Sequence, residues 1–177
     1  MFPKNGDAVF LFEGGRFVFS FDSNHDTINN DYAVYGGVSL DTRRQVMQIN
    51  SLVLAFVGDA VQEQVIKTHL ARTIDASSHV LQRHSVAYLC CEAQAMAART
   101  IFDELTEEEQ AVYKRARNAK VSTVPKHATV NDYHAATGIE AVIGFCHLTG
   151  DDARAEWIVG RMREVCDEKT KKTTIEG

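Results

Sequence analysis

The sequence has little of what defines several other classes of protein. Its 177 residues include only two prolines, and no apolar run approaches the ~18 residues that a membrane span needs. The four cysteines show no C-x-x-C spacing, so neither a zinc site nor a disulfide framework can be inferred from them. We therefore expect a soluble protein with reduced thiols and no membrane partner, located in the cytoplasm or, in a eukaryotic source, in an organelle.

Positive charge is also scarce. There are 19 Lys and Arg residues against 24 Asp and Glu, and the formal net charge is −5 at pH 7. This balance argues against a protein that holds nucleic acid by charge over its whole surface, although a local basic patch is compatible with it. The length suits one domain that removes roughly 70% of its unfolded surface from water, without help from disulfides or a structural metal.

The N-terminal segment differs in composition from the rest of the chain. Six of the nine Phe residues lie within the first 21 positions, where residues 9–12 (VFLF) and 17–21 (FVFSF) flank the sequence EGGR. This pattern predicts a β-hairpin in an N-terminal extension, residues 1–37. Residues 38–166 are rich in helix formers and predict an all-α domain, and residues 167–177 predict a flexible tail.

The helical part can be divided by its periodicity and its capping residues. Thr106 and Glu109 form the N-cap and N3 positions of a capping box, which opens a helix that runs towards Arg117. Apolar periodicity predicts the other helices. They cover residues 41–49, 52–70, 80–102, 138–148 and 151–166.

A carboxylate interrupts the apolar run at residues 52–61 (LVLAFVGDAV). Isolated charges are costly in apolar surroundings, so Asp59 needs a cation or several hydrogen-bond donors. Glu63 follows at i+4, so both carboxylates would share one face of a helix. In the alternative interpretation, Gly58 and Asp59 form a turn and helix cap, and Glu63 is solvated.

A second carboxylate, Glu140, stands inside the apolar stretch at residues 137–145 (TGIEAVIGF). Semi-buried carboxylates repel one another, and Mg²⁺ commonly relieves that repulsion. Carboxylates that hold a metal ion are also typical of phosphodiester hydrolysis. The alternative is a buried ion pair between Glu140 and an Arg or Lys.

A basic patch interrupts the acidic sequence at residues 114–120 (KRARNAK) and continues to Lys126. Arg and Lys side chains bind phosphates, and Asn adds hydrogen bonds to backbone oxygens. The alternative is the favourable placement of cations at a helix C-terminus, which would account for Lys114 and Arg115. The candidate residues for binding an anionic partner are Arg115, Arg117, Asn118, Lys120 and Lys126.

Four blocks in this order and spacing resemble the Mini-ribonuclease III family, the short members of the ribonuclease III family. The blocks are residues 52–63 (LVLAFVGDAVQE), 105–109 (LTEEE), 114–120 (KRARNAK) and 137–145 (TGIEAVIGF), and the similarity spans residues 40–163. The resemblance implies an all-α catalytic domain that works as a homodimer and cuts double-stranded RNA with Mg²⁺, leaving 5′-phosphate ends. It implies that Asp59 and Glu140 are the catalytic, metal-binding carboxylates, and we add Glu63 as a supporting metal ligand. It also implies that Arg117, Asn118 and Lys120 approach the RNA backbone, and we add Arg115 and Lys126 of the same patch as RNA-binding residues.

The resemblance further implies maturation of precursor large-subunit (23S-type) ribosomal RNA, with a ribosomal protein as another candidate partner. Compared with the larger ribonuclease III enzymes, Thr137 replaces an Asp. Compared with the family that the chain resembles, Gln62 replaces a residue that is usually larger and apolar or aromatic. The resemblance to the short members leads us to expect no double-stranded-RNA-binding domain after the last block. Two alternatives fit the bare pattern: a non-catalytic RNA-binding or ribosome-assembly protein, and an all-α nucleotide pyrophosphohydrolase.

Overall fold

The chain divides into two compact units, Met1–Val34 and Tyr35–Gly177. The computed structural model describes residues 9–13, 16–20, 40–120 and 128–175. In the first unit, strands β1 (Val9–Glu13) and β2 (Arg16–Ser20) pair antiparallel, with Glu13 opposite Arg16. The candidate site lies entirely in the second unit.

The second unit is helical throughout its described residues, which agrees with the all-α prediction for this part of the chain. A single 3₁₀ turn, Phe102–Glu104, separates the fourth and fifth helices. No helix among the described residues is both long enough and apolar enough to cross a membrane. The helices are α1 (Leu40–Gln48), α2 (Ser51–Thr73), α3 (Ser78–Leu89), α4 (Cys91–Ile101), α5 (Glu107–Arg117), α6 (Val130–Leu148) and α7 (Asp152–Ile175).

Three helix boundaries differ from the sequence prediction. The helix predicted over residues 80–102 is broken at Cys90, whose backbone is extended (φ −71°, ψ 149°). Helix α6 begins eight residues before Gly138, because the Thr129 side chain accepts a hydrogen bond from the Asp132 N–H and caps it. Helix α7 continues to Ile175, past the predicted end at residue 166, and Asp167 within it accepts a 2.8 Å hydrogen bond from the Tyr88 hydroxyl.

Helix α6 forms the centre of the domain. Every residue from Ala135 to Cys146 is buried except Glu140, which is half-buried. Helices α2, α4, α5 and α7 surround it, and their apolar side chains complete a core that includes Leu54, Ile101 and Val159. Because other helices pack around α6, the position of Glu140 on this helix is well defined.

The predicted capping box at the start of α5 is confirmed. The Thr106 hydroxyl accepts a hydrogen bond from the Glu109 N–H, and the Glu109 carboxylate accepts one from the Thr106 N–H. Glu109 is also buried and forms an ion pair with Arg154 of α7 at 2.9 Å. Burial alone would raise the pKa of Glu109, but the hydrogen bonds from Arg154 and Thr106 outweigh it and lower the pKa below its usual range. One carboxylate therefore joins the start of α5 to α7.

Candidate active site

The close crossing of α2 and α6 positions the two candidate catalytic carboxylates. A Cβ atom placed on Gly58 would lie 1.7 Å from the backbone oxygen of Glu140, and one placed on Gly144 would lie 2.0 Å from the backbone oxygen of Leu54. The two helices touch backbone to backbone because neither glycine has a side chain. Asp59 follows Gly58 directly, so the crossing brings it within electrostatic range of Glu140.

The two carboxylates affect each other's ionisation. Burial raises the pKa of Glu140 to about 7, and the negative charge of Asp59 contributes to that rise. Partial desolvation raises the pKa of Asp59, and the charge of Glu63 raises it further. No Lys, Arg or His within the described ranges forms an ion pair with either carboxylate.

Both alternatives to a functional carboxylate pair are wrong within the described structure. Gly58 and Asp59 lie in the interior of α2, so they form neither a turn nor a helix cap. Glu140 has no basic partner among the described residues, although a buried ion pair was the simplest way to explain it. Its hydrogen bond comes instead from the neutral side chain of Gln94.

Glu63 lies one helical turn after Asp59, as the i+4 spacing predicts, but it has a partner of its own. Its carboxylate forms an ion pair with Lys67 at 2.6 Å, and both side chains are about half exposed. Glu63 is therefore a half-exposed, charged neighbour of Asp59 that is paired with a lysine, and its exposure matches the solvated Glu63 of the alternative interpretation. That Glu63 is a metal ligand stays a prediction.

The donor set formed by Asp59 and Glu140 fits a Mg²⁺ ion. Mg²⁺ in proteins usually keeps several waters and is bound by one or two carboxylates together with the phosphates of a substrate. Two carboxylates without a cationic partner supply the negative charge that such an ion neutralises. Within the described part of the chain, no three His, Cys, Asp or Glu side chains gather to hold a metal, so the site has few protein ligands.

Two buried amide side chains complete the surroundings of Glu140. Gln94 of α4 is 4% exposed and Gln62 of α2 is 1% exposed. Gln94 donates a hydrogen bond from Nε2 to Oε1 of Gln62 at 3.2 Å, and its side chain also hydrogen-bonds to the Glu140 carboxyl group. The sequence analysis missed Gln94, since a single Gln in an Ala-rich helix carries no signal until α4 is known to pack on α6.

Three of the predicted RNA-binding residues line one open cavity of about 700 Å³ at the end of α5 and the start of α6. They are Arg117, Asn118 and Lys120, and Asn131 and His134 of α6 line the same cavity. Arg117 donates to the Asn131 side-chain oxygen at 3.4 Å. No described carboxylate forms an ion pair with Arg117 or Lys120, so their charges are available to an anion.

The remaining basic residues do not join this cavity in the described structure. Arg115 turns towards α1, where its guanidinium donates to the backbone oxygens of Met47 and Ile49. That contact caps the C-terminal end of α1, a different helix from the one whose C-terminus the alternative interpretation considered. Lys114 lies over the Phe102 ring, 5.5 Å from its centroid. Lys126 lies outside the described residues.

Comparison with known proteins agrees with this geometry. The ribonuclease III domain model matches residues 52–151, which include both carboxylates and the whole basic patch. A Mini-ribonuclease 3 from Clostridium tetani is 37% identical over 131 residues, covering 73% of this chain and 87% of that protein. A Mini-ribonuclease 3 from Enterococcus faecalis is 42% identical over 118 residues, covering 66% and 89%. The chain belongs to the Mini-ribonuclease 3 family.

Membership in the Mini-ribonuclease 3 family sets the general activity. The chain is an endoribonuclease, and enzymes with a ribonuclease III domain generally depend on a divalent metal. A crystal structure of a Fusobacterium nucleatum protein shares the fold, with a TM-score of 0.60 and 29% identity over 64% of this chain and 92% of the other. The family assignment disfavours the pyrophosphohydrolase alternative.

Proposed function

We propose that this chain cuts double-stranded RNA at a site where Asp59 and Glu140 hold Mg²⁺, leaving 5′-phosphate ends. The observation that carries the proposal is the carboxylate pair itself. It is fixed where Gly58 contacts the backbone of Glu140, on two packed helices, and no basic side chain among the described residues neutralises it. An unneutralised carboxylate that is as buried as Glu140 costs stability, which favours a role in binding a cation.

The substrate would bind across the open cavity. Three residues of this cavity are suited to bind the phosphate backbone of RNA. The planar guanidinium of Arg117 and the ammonium of Lys120 bind phosphates through charge, and the amide of Asn118 can add a hydrogen bond. Contacts of this type read the shape and phosphates of A-form RNA more than its sequence. When bound, Mg²⁺ would supply a polarised water and neutralise charge on the scissile phosphate.

The proposal extends to the biological setting of the enzyme. Its task is maturation of the precursor of large-subunit (23S-type) ribosomal RNA, in the cytoplasm or, in a eukaryotic source, in an organelle. A ribosomal protein would be a second partner. Residues 1–37, with their β-hairpin, form an extension to the catalytic domain, and we assign them no catalytic role.

The proposed activity can be tested with purified full-length chain, a long double-stranded RNA and a single-stranded RNA of the same sequence. We expect Mg²⁺-dependent cutting of the duplex alone, abolished by EDTA, with products that a 5′-phosphate-dependent exonuclease degrades. A transcript that contains the base-paired ends of precursor 23S RNA should be cut at discrete positions. Binding of the duplex without cutting would instead favour the non-catalytic assembly protein, and equal cutting of both RNAs would contradict double-strand selectivity.

The exposed face of α2 supports a homodimer as part of this proposal. Leu52, Val53 and Phe56 are 36%, 50% and 77% exposed, although they lie in the most apolar run of the sequence. Exposed apolar clusters of this kind mark interaction surfaces in soluble proteins. A second copy of the chain, related by two-fold symmetry, would cover the face with the same residues.

We expect Phe56→Lys to weaken the dimer by about 10²-fold or more, since two Phe side chains at ~1.5–3 kcal/mol each would leave the interface. Sedimentation velocity at micromolar concentration would measure the shift from dimer to monomer. Val86→Lys is the matched control, because Val86 is an exposed apolar residue of α3, 53% exposed and away from the cluster. A natural chain that is monomeric at these concentrations, or a Phe56→Lys chain that stays dimeric, would contradict the assignment.

A further inference from the structure

The buried pair of amides beside Glu140 has no place in the reaction proposed above. Gln62, Gln94 and Glu140 belong to three different helices, α2, α4 and α6, and their polar groups meet in the interior of the domain. Burying a primary amide costs stability unless its hydrogen bonds are satisfied. Two such amides bonded to each other, one of them beside a half-buried carboxylate, therefore need an explanation.

The hydrogen bond between the amides determines which end of Gln94 faces Glu140. The Nε2 group of Gln94 has two N–H donors, and one of them is directed to Oε1 of Gln62 at 3.2 Å. The second is available to the Glu140 carboxyl group. If the Gln94 amide were reversed, its oxygen would face the oxygen of Gln62 and the carboxylate together, and both contacts would be repulsive. Gln62 therefore orients Gln94, and Gln94 in turn bonds to Glu140.

A hydrogen bond of this kind restricts a flexible carboxylate. A Glu side chain has several rotatable bonds, and a metal ion is bound more tightly when the ligand is already held in one orientation. Removing a residue that orients a metal ligand typically lowers metal affinity or activity about 10–100-fold. Gln94 meets that description because it is buried and touches Glu140 from the side of α4.

We propose that Gln94 and Gln62 are positioning residues that hold the Glu140 carboxylate in its metal-binding orientation. Gln94 acts on Glu140 directly, and Gln62 acts only through Gln94. The proposal rests on the assignment of Asp59 and Glu140 as metal-binding residues. It gives a role to Gln62, whose buried amide is bonded to that of Gln94.

Mn²⁺ alone, titrated into the RNA-free full-length chain and followed by the electron paramagnetic resonance of the free ion, tests the proposal. We expect Gln94→Met, which matches the volume of Gln but removes the amide, to raise the Mn²⁺ dissociation constant about 10–100-fold. Gln62→Met should raise it about tenfold or less, in the same direction. The double variant should have the same Mn²⁺ dissociation constant as Gln94→Met, because Gln62 has nothing to orient once the amide of Gln94 is absent.

Kinetics and a matched control separate positioning from general destabilisation. Under saturating RNA, Gln94→Met should lower kcat and leave KM for RNA nearly unchanged, because a buried residue of α4 does not line the basic cavity. Thr149→Val is the control: Thr149 is 3% exposed and its hydroxyl donates to the backbone oxygens of Phe145 and Cys146, outside the site. It should lower the melting temperature without changing Mn²⁺ affinity.

The outcomes that overturn this inference differ from those that overturn the proposed function. Equal Mn²⁺ affinity in the natural chain and Gln94→Met, including no measurable binding by either, would overturn the positioning role. If Gln94→Met does not fold, Gln62→Met decides, and unchanged affinity there would overturn it. If Asp59→Asn also binds Mn²⁺ and cuts RNA like the natural chain, the assignment of the active site itself is wrong.

Discussion

Replacing Asp59 with Asn should lower the rate of RNA cleavage by on the order of 10³-fold or more, equivalent to about 4 kcal/mol of lost transition-state stabilisation. Among the described residues, the proposed site has two carboxylates to hold a divalent ion, so losing one removes half of its negative charge. Asn keeps the size and the hydrogen-bonding ability of the side chain, and Asp59 is exposed on α2. The variant should therefore fold, and single-turnover cleavage of a labelled duplex in Mg²⁺ would measure the loss.

Glu63→Gln is the matched control for Asp59→Asn. It removes the same charge one helical turn away, from a carboxylate that is already paired with Lys67 at 2.6 Å on the exposed side of α2. Exposed pairs of this type contribute little to stability, so we expect cleavage within a few-fold of the natural rate. An equally severe loss in Glu63→Gln would show that Glu63 belongs to the metal site after all. Full activity in Asp59→Asn would remove Asp59 from it.

Glu140→Gln should be as inactive as Asp59→Asn, but its stability should depend on pH in a distinctive way. Burial raises the pKa of Glu140 from 4.5 to about 7, so between these values the folded chain holds a proton that the unfolded chain has released. Stability of the metal-free natural chain therefore falls as pH rises through that window, and the Gln variant lacks this loss. Thermal melts in EDTA at pH 5 and pH 8 should show the variant gaining stability relative to the natural chain at pH 8.

Local sequence patterns were sufficient to predict features that depend only on residues within one helix. Thr106 and Glu109 are three residues apart, and that spacing alone satisfies a capping box whatever the helix packs against. Glu140 could be singled out because a charge inside an apolar stretch is unexpected without any knowledge of its neighbours. Both features depend on residues close in sequence.

Features that depend on contacts between distant residues could not be predicted in this way. The break at Cys90 has no proline or glycine to mark it, and it lets α4 place Gln94 against α6. Arg115 and Arg117 look equivalent in the sequence, yet one caps α1 and the other lines the cavity, since their positions on α5 differ by two residues and so face different neighbours. Charge patterning alone cannot separate these two roles.

Replacing Gly58 with Ala should lower both the stability of the fold and the rate of RNA cleavage, because Gly58 lies where α2 crosses α6. The added methyl group would lie 1.7 Å from the Glu140 backbone oxygen, and 2.7 Å from the backbone nitrogen of Gly144. These atoms belong to the backbone of the central helix and cannot rotate away, so the helices must separate. Overpacking typically costs 1–3 kcal/mol, and we expect about 3 kcal/mol or more here because the nearest atoms are rigid.

The helix propensity of alanine makes this prediction more stringent. Ala is favoured over Gly inside a helix by about 1 kcal/mol, so in the absence of the clash the substitution would stabilise the protein. Gly160→Ala in α7 tests that baseline, because a Cβ there would meet nothing within 4 Å. Urea unfolding should show Gly160→Ala equal to or more stable than the natural chain, and Gly58→Ala much less stable.

Activity distinguishes a local effect of Gly58→Ala from simple unfolding. Separating α2 from α6 moves Asp59 away from Glu140, so the fraction of Gly58→Ala that remains folded at low temperature should bind Mn²⁺ weakly and cut RNA slowly. The pKa of Glu140 should also move towards its ordinary value as the charge of Asp59 recedes and water enters. A Gly58→Ala chain with natural stability and natural cleavage would mean that the two helices do not touch at this point, and that the close crossing does not position the carboxylate pair.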